Sequence, residues 1–184
     1  MASAITHFIV GASILLPAAE SRSLNAVLPG WSIPFAGGLL AVAPDIDTYA
    51  ARAFDISRGS IWSHRGVIHS PVFLILLCAV VAALPTLGRG GKWQAWLLLT
   101  LIWAVAAITH PLLDMLTDGG SGVMFLYPFN HDRYFFPWRP IRVSPLSVTR
   151  FFSRAGSILR SEAPFDAAAI LAGVLGWIAR RRSA

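Results

Sequence analysis

The chain has a single cysteine, Cys78, inside an apolar run, which excludes an intrachain disulfide and makes a thiolate-based metal site a poor candidate. Charge is also scarce: Asp, Glu, Lys and Arg make up 13% of 184 residues, against roughly 25% in an average soluble domain. The formal net charge of +6 comes from arginines scattered between apolar blocks rather than gathered on one helix. That pattern argues against a nucleic-acid partner and suits anionic lipid headgroups. There is no internal repeat, and no His-Glu-x-x-His motif of a membrane metalloprotease. The stretch from Ala2 to Leu16 lacks a basic lead-in and a small-residue cleavage signature, and reads as retained sequence.

What is abundant is hydrophobic: 55% of residues, with seven Trp and eleven Phe of the kind that settle at membrane interfaces. The apolar residues fall into segments at about 3–19, 33–44, 67–84, 93–116 and 165–178. The expected fold is therefore all-α: one integral-membrane domain over residues 1–184, with four to five transmembrane or re-entrant helices. The second segment is too short for a full span at about 1.5 Å per residue, so it extends upstream through residues 28–31 or enters the membrane as a broken helix. The third is closed by Pro85 and the Gly88 to Gly91 region, with a tight turn at 85–92. The last is a tilted crossing or an interfacial helix ending at Arg180, Arg181 and Arg182. Residues 45–66 form a polar loop, and 118–164 a long irregular segment rich in Arg, Pro and aromatics.

Seven potential metal ligands sit at or near the ends of these segments: His7, Asp45, Asp47, His64, His69, His110 and Asp114. Alternating the direction of successive spans brings all seven to one membrane face. Short-loop charge, from Arg22, Arg89, Lys92 and the terminal arginines, favours the opposite face in the cytoplasm and the polar face outside, whereas the raw arginine count favours the reverse. Ionisable residues beside apolar spans are costly and mark functional sites.

His110 and Asp114, four apart on one helix, share a face and converge. Asp45 and Asp47 flank Ile46 after Pro44; if the backbone there is extended, both carboxylates point to one side. His64 and His69 bracket the entry to the third span, and His7 contributes from the first. Imidazole and carboxylate donors without thiolate suit zinc, with manganese or iron as alternatives. Seven donors exceed one tetrahedral ion, so either two ions are held or one ion is held while Asp47 or His69 serves as general base or ligand orienter. Arg65 is the expected phosphate clamp. Asp118 falls one turn beyond Asp114 if the helix persists, as outer ligand or orienter, and the following glycines end the helix. His131, Asp132 and Arg133 form a polar patch that is either a headgroup pocket or an ordinary turn.

Thr6-His7, Pro44-Asp45-Ile46-Asp47, Ser63-His64-Arg65-Gly66 with His69-Ser70, and His110-Pro111-Leu112-Leu113-Asp114 together resemble the YdjM family over about residues 1–140. The resemblance implies an inner-membrane-associated, metal-dependent hydrolase of bacterial or archaeal cytoplasmic membranes, also described as LexA-binding, with these seven polar residues as the matching positions. From about Ile141 the chain departs into an Arg-rich linker and a terminal apolar helix.

The expected activity is hydrolysis of a lipid or lipid-linked substrate, most concretely a phosphoester, by metal-activated water. The alternatives are a lipid amide or carboxyl-ester hydrolase, or a divalent-metal transporter or sensor. A regulatory binding protein would follow from the LexA label alone. A transporter would place its ligands near the midplane of related halves, and no such repeat is visible.

Overall fold

The computed structural model describes residues 1–57, 59–87, 93–145 and 147–183. Most of the turn expected at 85–92, including Gly88 to Gly91, Arg89 and Lys92, lies outside the described residues. Helix α1 (Ala4–Ser13) starts where the Ser3 hydroxyl accepts from the Thr6 amide at 3.3 Å, satisfying one of the open N–H groups of the first turn. A 3-10 turn at Leu16–Glu20, opened by Pro17, and a short α2 (Arg22–Asn25) lead into α3 (Ser32–Val42). A second 3-10 turn, Ala43–Ile46, runs directly into α4 (Asp47–Ala53), and a third, Val67–His69, precedes α5 (Pro71–Leu87). Then come α6 (Trp93–Met115) and α7 (Val148–Ser183). Among the described residues no β-strand forms; only two isolated bridges occur, Thr117 with Ile141 and Val123 with Tyr134. The fold is all-α, as expected.

The core lies where α3, α5 and α6 meet, around Ile33, Leu74, Cys78, Ala82, Leu99, Trp103 and Ala106. The Trp103 indole donates to the Ile33 carbonyl at 3.0 Å, giving a buried donor the partner it needs. Two helical stretches, Trp93–Met115 and Thr149–Ser183, are long and apolar enough to cross a membrane, and Ala4–Ser13 and Pro71–Thr86 are shorter apolar helices. Their outward faces are hydrophobic: Leu76, Val80 and Leu84 on α5, Leu101 and Val105 on α6, Ile170, Leu171 and Leu175 on α7 are all exposed. An apolar exterior of this extent suits a hydrocarbon surround.

Three features differ from the sequence reading, the first being that the stretch expected as a polar loop, 45–66, begins in helical structure and contains α4 (Asp47–Ala53). The first apolar helix is only 10 residues long and passes into the 3-10 turn instead of continuing to residue 19. The last helix begins at Val148, not near Phe165, so most of the expected irregular linker is its first half. Arg150, Arg154 and Arg160 stand on the exposed side of that half, which hid the helix from a search for apolar runs. Helix α7 runs parallel to α1: Glu162 reaches Ser3, Asp166 reaches Thr6, and Trp177 donates to Glu20 at 2.7 Å. Gly173 makes this possible, since a β-carbon there would collide with the Ser13 carbonyl oxygen.

Candidate metal centre

The N-terminal ends of α1 and α5 and the C-terminal ends of α3 and α6 lie at one end of the bundle: α1 carries His7, α6 carries His110 and Asp114, and Asp45, Asp47, His64 and His69 stand on the segments that follow α3 and precede α5. The structure brings His7, Asp45, Asp47, His64, His69, His110 and Asp114 into three overlapping triads: His7–His110–Asp114, Asp45–His69–His110 and Asp47–His64–His69. Within each triad the ligand atoms lie within 4.8 Å of one another, and His110 and His69 are each shared by two triads. The rings form a row: His7 stacks on His110 with centroids 3.7 Å apart, His110 meets His69 at 4.7 Å, and His69 meets His64 at 5.3 Å.

The distances suit a cation between donors. His7 Nε2 lies 3.5 Å from Asp114 Oδ1, His110 Nε2 lies 3.6 Å from Asp45 Oδ1, and His69 Nε2 and His110 Nε2 each lie 3.9 Å from Asp114 Oδ2. Two ligands bonded to one zinc at about 2.0–2.1 Å in a tetrahedron are themselves about 3.3–3.4 Å apart. The hydrogen-bond ledger agrees. Both ring nitrogens of His7 and of His69, both carboxylate oxygens of Asp45 and Nε2 of His110 are buried without a hydrogen-bond partner. Buried polar atoms in native proteins are nearly always paired, so a cluster of orphans sharing one space fits a metal.

The surroundings orient the donors. His110 Nδ1 lies 2.7 Å from the Ala41 carbonyl oxygen, which can only accept, so Nδ1 carries the proton and Nε2 presents its lone pair to the carboxylates. Asp114 is fully buried; its Oδ1 accepts from the Ala2 amide at 2.8 Å and its Oδ2 from Arg65 Nε at 3.0 Å. Each oxygen keeps a further lone pair for a metal. Asp47 Oδ1 is 2.8 Å from His64 Nδ1 and accepts from the Thr48 hydroxyl at 3.2 Å, while Oδ2 lies 3.2 Å from His69 Nδ1. The Asp45–Asp47 segment is not extended: it is a 3-10 turn joined to α4, and helical curvature with one intervening residue still turns both carboxylates inward.

Charge follows burial and contact. Desolvation, reinforced by the nearby Asp114 carboxylate, pushes the Asp45 carboxyl up to about 8. Burial acts the same way on Asp47, but the bond with His64 and the proximity of His69 overcome it and hold that carboxyl well below the usual range. Burial lowers the His69 imidazole, against the opposing pull of Asp47, which favours its neutral, ligating form.

Arg65, expected as an open phosphate fork, is fully buried. Besides Asp114 it donates from Nη1 to the Gly119 carbonyl at 3.0 Å and from Nη2 to the Thr117 hydroxyl at 2.8 Å. Its backbone is left-handed, φ 66°, at the tip of a loop. Gly120, also at positive φ, lies flat on the guanidinium: a β-carbon there would sit 2.6 Å from Nη1. Asp118 stands apart from the cluster. Helix α6 ends at Met115, and Asp118 turns away to accept from the Val143 amide at 2.8 Å. In the 131–133 patch, Arg133 pins the ligand loop by donating to the His64 carbonyl at 3.1 Å and the Ser63 hydroxyl at 2.8 Å, and His131 stacks on Tyr127.

Several contributors were missed in sequence. Glu162 is fully buried and accepts from both the Ser3 amide, at 2.5 Å, and its hydroxyl, at 2.7 Å, fixing the backbone next to the Ala2 amide that holds Asp114. The available signal was the i, i+4 pair Glu162 and Asp166 at the head of an apolar run. Thr117 and Thr48 gave no comparable signal.

The sequence profile of the family described as YdjM inner membrane protein matches residues 1–183. That extends the likeness through the terminal helix, well past residue 140. Among curated proteins the chain is similar to "Inner membrane protein YbcI" of Escherichia coli (strain K12), 36% identical over 154 residues that cover 80% of this chain and 84% of the relative. No solved structure matches.

Proposed function

The chain belongs to the YdjM family of inner membrane proteins, and from that premise we propose that it is a metal-dependent hydrolase working at the membrane surface. In this reading it is one domain that crosses the membrane five times, through α1 with its 3-10 extension, α3, α5, α6 and α7. Alternation then gathers the donors at one face, and Glu20, Arg22 and Arg180 to Arg182 at the other. Basic residues concentrated beside so little polar chain favour that second face in the cytoplasm and the metal centre outside.

The observation that carries the proposal is the set of donors at His110. Its Nε2 lone pair points at the Asp45 and Asp114 carboxyl groups in a buried space; its own ring proton is on the other nitrogen, and 3.6 and 3.9 Å are too long for a hydrogen bond from a protonated carboxyl. Electron-rich atoms facing one another away from water need a cation between them. His7, Asp45, His69, His110 and Asp114 would hold it, and zinc fits this donor chemistry. A divalent ion bound there supplies a water acidic enough to ionise near neutral pH and positive charge for a developing oxyanion. Arg65 and Thr117 keep Asp114 in place. Asp47 orients His64, whose side chain reaches the partly exposed rim and can carry a proton at Nε2.

The substrate in this reading is a lipid or lipid-linked ester, foremost a phosphoester, whose apolar part stays in the bilayer. A carboxyl ester or amide could be attacked by the same group. Ligands gathered at the end of the bundle, rather than at mid-depth, argue against a transport path. The test is purification in lipid nanodiscs, metal counting, and a screen of phospholipids and isoprenoid phosphates for hydrolysis. One zinc per chain and release of a headgroup or phosphate are expected. Metal content unchanged after His110→Ala combined with Asp114→Ala would remove the proposed site.

A further inference from the structure

Two cavities flank the metal centre and share a wall built from Met1, Ser144 and Pro145. The first, about 280 Å³, is lined mainly by apolar side chains, Ile5, Val42, Ile46, Tyr49 and Phe151 among them, and Asp45 also lines it. Ile5, Ile46 and Tyr49 are exposed around it although they are hydrophobic, so the mouth is apolar as well as the interior. The second, about 230 Å³, has a largely apolar wall that includes Val143 and Pro145, but the charged side chains in its lining are all basic: Arg65 and Arg154, with His64 beside them. Arg154 is exposed on the first half of α7, and unlike Arg65 it is free of the Asp114 network.

The ligand that matches this pair of cavities has an apolar and an anionic part, held on either side of the donors. We infer that the apolar cavity receives one hydrocarbon chain of an anionic amphiphile, and that Arg154, in the adjoining cavity, contacts its headgroup. The inference rests on the metal-centre reading and adds to it a chain-binding subsite and a specificity residue. Asp45 belongs both to the apolar cavity and to the triad with His69 and His110, so a chain seated there brings its polar end to the ligands. The apolar mouth at the bundle's end lets the chain enter from the bilayer without crossing water. Arg65, occupied by Asp114, Thr117 and Gly119, leaves the headgroup contact to Arg154.

The test uses the full chain in phosphatidylcholine nanodiscs loaded with cobalt, whose visible absorption reports ligands arriving at the metal. Inorganic phosphate probes the headgroup contact alone, and dodecyl phosphate probes headgroup and chain together. Ala4→Phe fills the apolar cavity from α1, and comparing it with the parent at equal mole fraction of dodecyl phosphate cancels partitioning into the bilayer. At least a tenfold loss of dodecyl phosphate response is expected, with the inorganic phosphate response unchanged. Arg154→Gln should weaken both ligands several-fold at constant cobalt content. Should Ala4→Phe fail to take up cobalt, Phe151→Trp supplies the same occlusion from the facing wall. Equal dodecyl phosphate responses in the parent and an occluded, cobalt-loaded variant would overturn the subsite. Inorganic phosphate acting as strongly as dodecyl phosphate would do the same and point to a site for free phosphate. No cobalt uptake by the parent would instead overturn the metal reading, and this inference with it.

Discussion

Replacing His110 by alanine separates a metal centre from a merely polar core. His110 belongs to two of the three triads and has its tautomer set by the Ala41 carbonyl, whereas His64 belongs to one triad and sits half-buried at the rim. If zinc binding worth about 10–16 kcal/mol is shared over the five proposed donors, one ligand is worth about 2–3 kcal/mol, or roughly two orders of magnitude in affinity. His64→Ala removes a group whose Nδ1 is engaged with Asp47, so it should cost roughly tenfold, the low end for an outer partner. The fold is a separate matter: without His110 the Ala41 carbonyl loses its donor, at about 1–3 kcal/mol, and this shows in thermal melts of metal-free protein. Affinity is measured by competition with a chromophoric zinc chelator in nanodiscs. A His110→Ala protein that binds zinc within twofold of the parent, or no worse than His64→Ala, refutes the assignment.

Arg65→Ala leaves the Asp114 carboxylate buried without its guanidinium and should destabilise the metal-free protein by about 3–5 kcal/mol, while bound zinc should recover part of the loss in a melting experiment. Glu162→Gln replaces two charge-assisted bonds to Ser3 by weaker ones; a loss of about 1–3 kcal/mol in unfolding free energy is expected, with a smaller loss of zinc affinity than His110→Ala. Zinc binding at pH 7 should release a proton from Asp45, whose raised carboxyl is protonated below about 8; calorimetry in two buffers of different ionisation enthalpy counts it, and the release should vanish above that pH. In the metal-free protein the folded form holds the Asp45 proton up to about 8 and the unfolded chain loses it near the ordinary carboxylate value of 3.8, so this group's contribution to stability falls as pH rises through that window.

That the seven donors would come together was legible because it depends on a coarse property, the order of apolar segments along the chain. His7, Asp45, His69 and His110 come from four different segments, yet each lies at the end that alternation assigns to one face. Individual roles were less legible. Arg65 looks like a free cation in sequence, and only the left-handed loop that turns it inward shows that Asp114 occupies it. Asp118 is placed by whether α6 stops at Met115 or runs one turn further, which the Thr-Asp-Gly-Gly sequence does not settle. Glu162 was lost with the start of α7: its helix is amphipathic through the arginine-bearing half, and hydrophobic density alone recognises only the later part.

Charge counting bears on how many ions this end of the bundle accepts. Asp45, Asp47 and Asp114 face four imidazoles and the Arg65 guanidinium. Among these side chains, with the imidazoles neutral, as ligands must be, and Asp45 giving up its proton to the incoming ion, three carboxylates against one guanidinium carry a net charge of minus two. Net charge in a buried space is costly, and one divalent ion cancels it. A second divalent ion would bring the cluster to plus two and would need an anion to accompany it, either hydroxide or the phosphate of a substrate. The first ion should therefore bind in the absence of substrate. A second, held by Asp47, His64 and His69, should appear only when phosphate is supplied, so zinc stoichiometry with and without phosphate distinguishes a one-ion site from a two-ion site completed by its substrate.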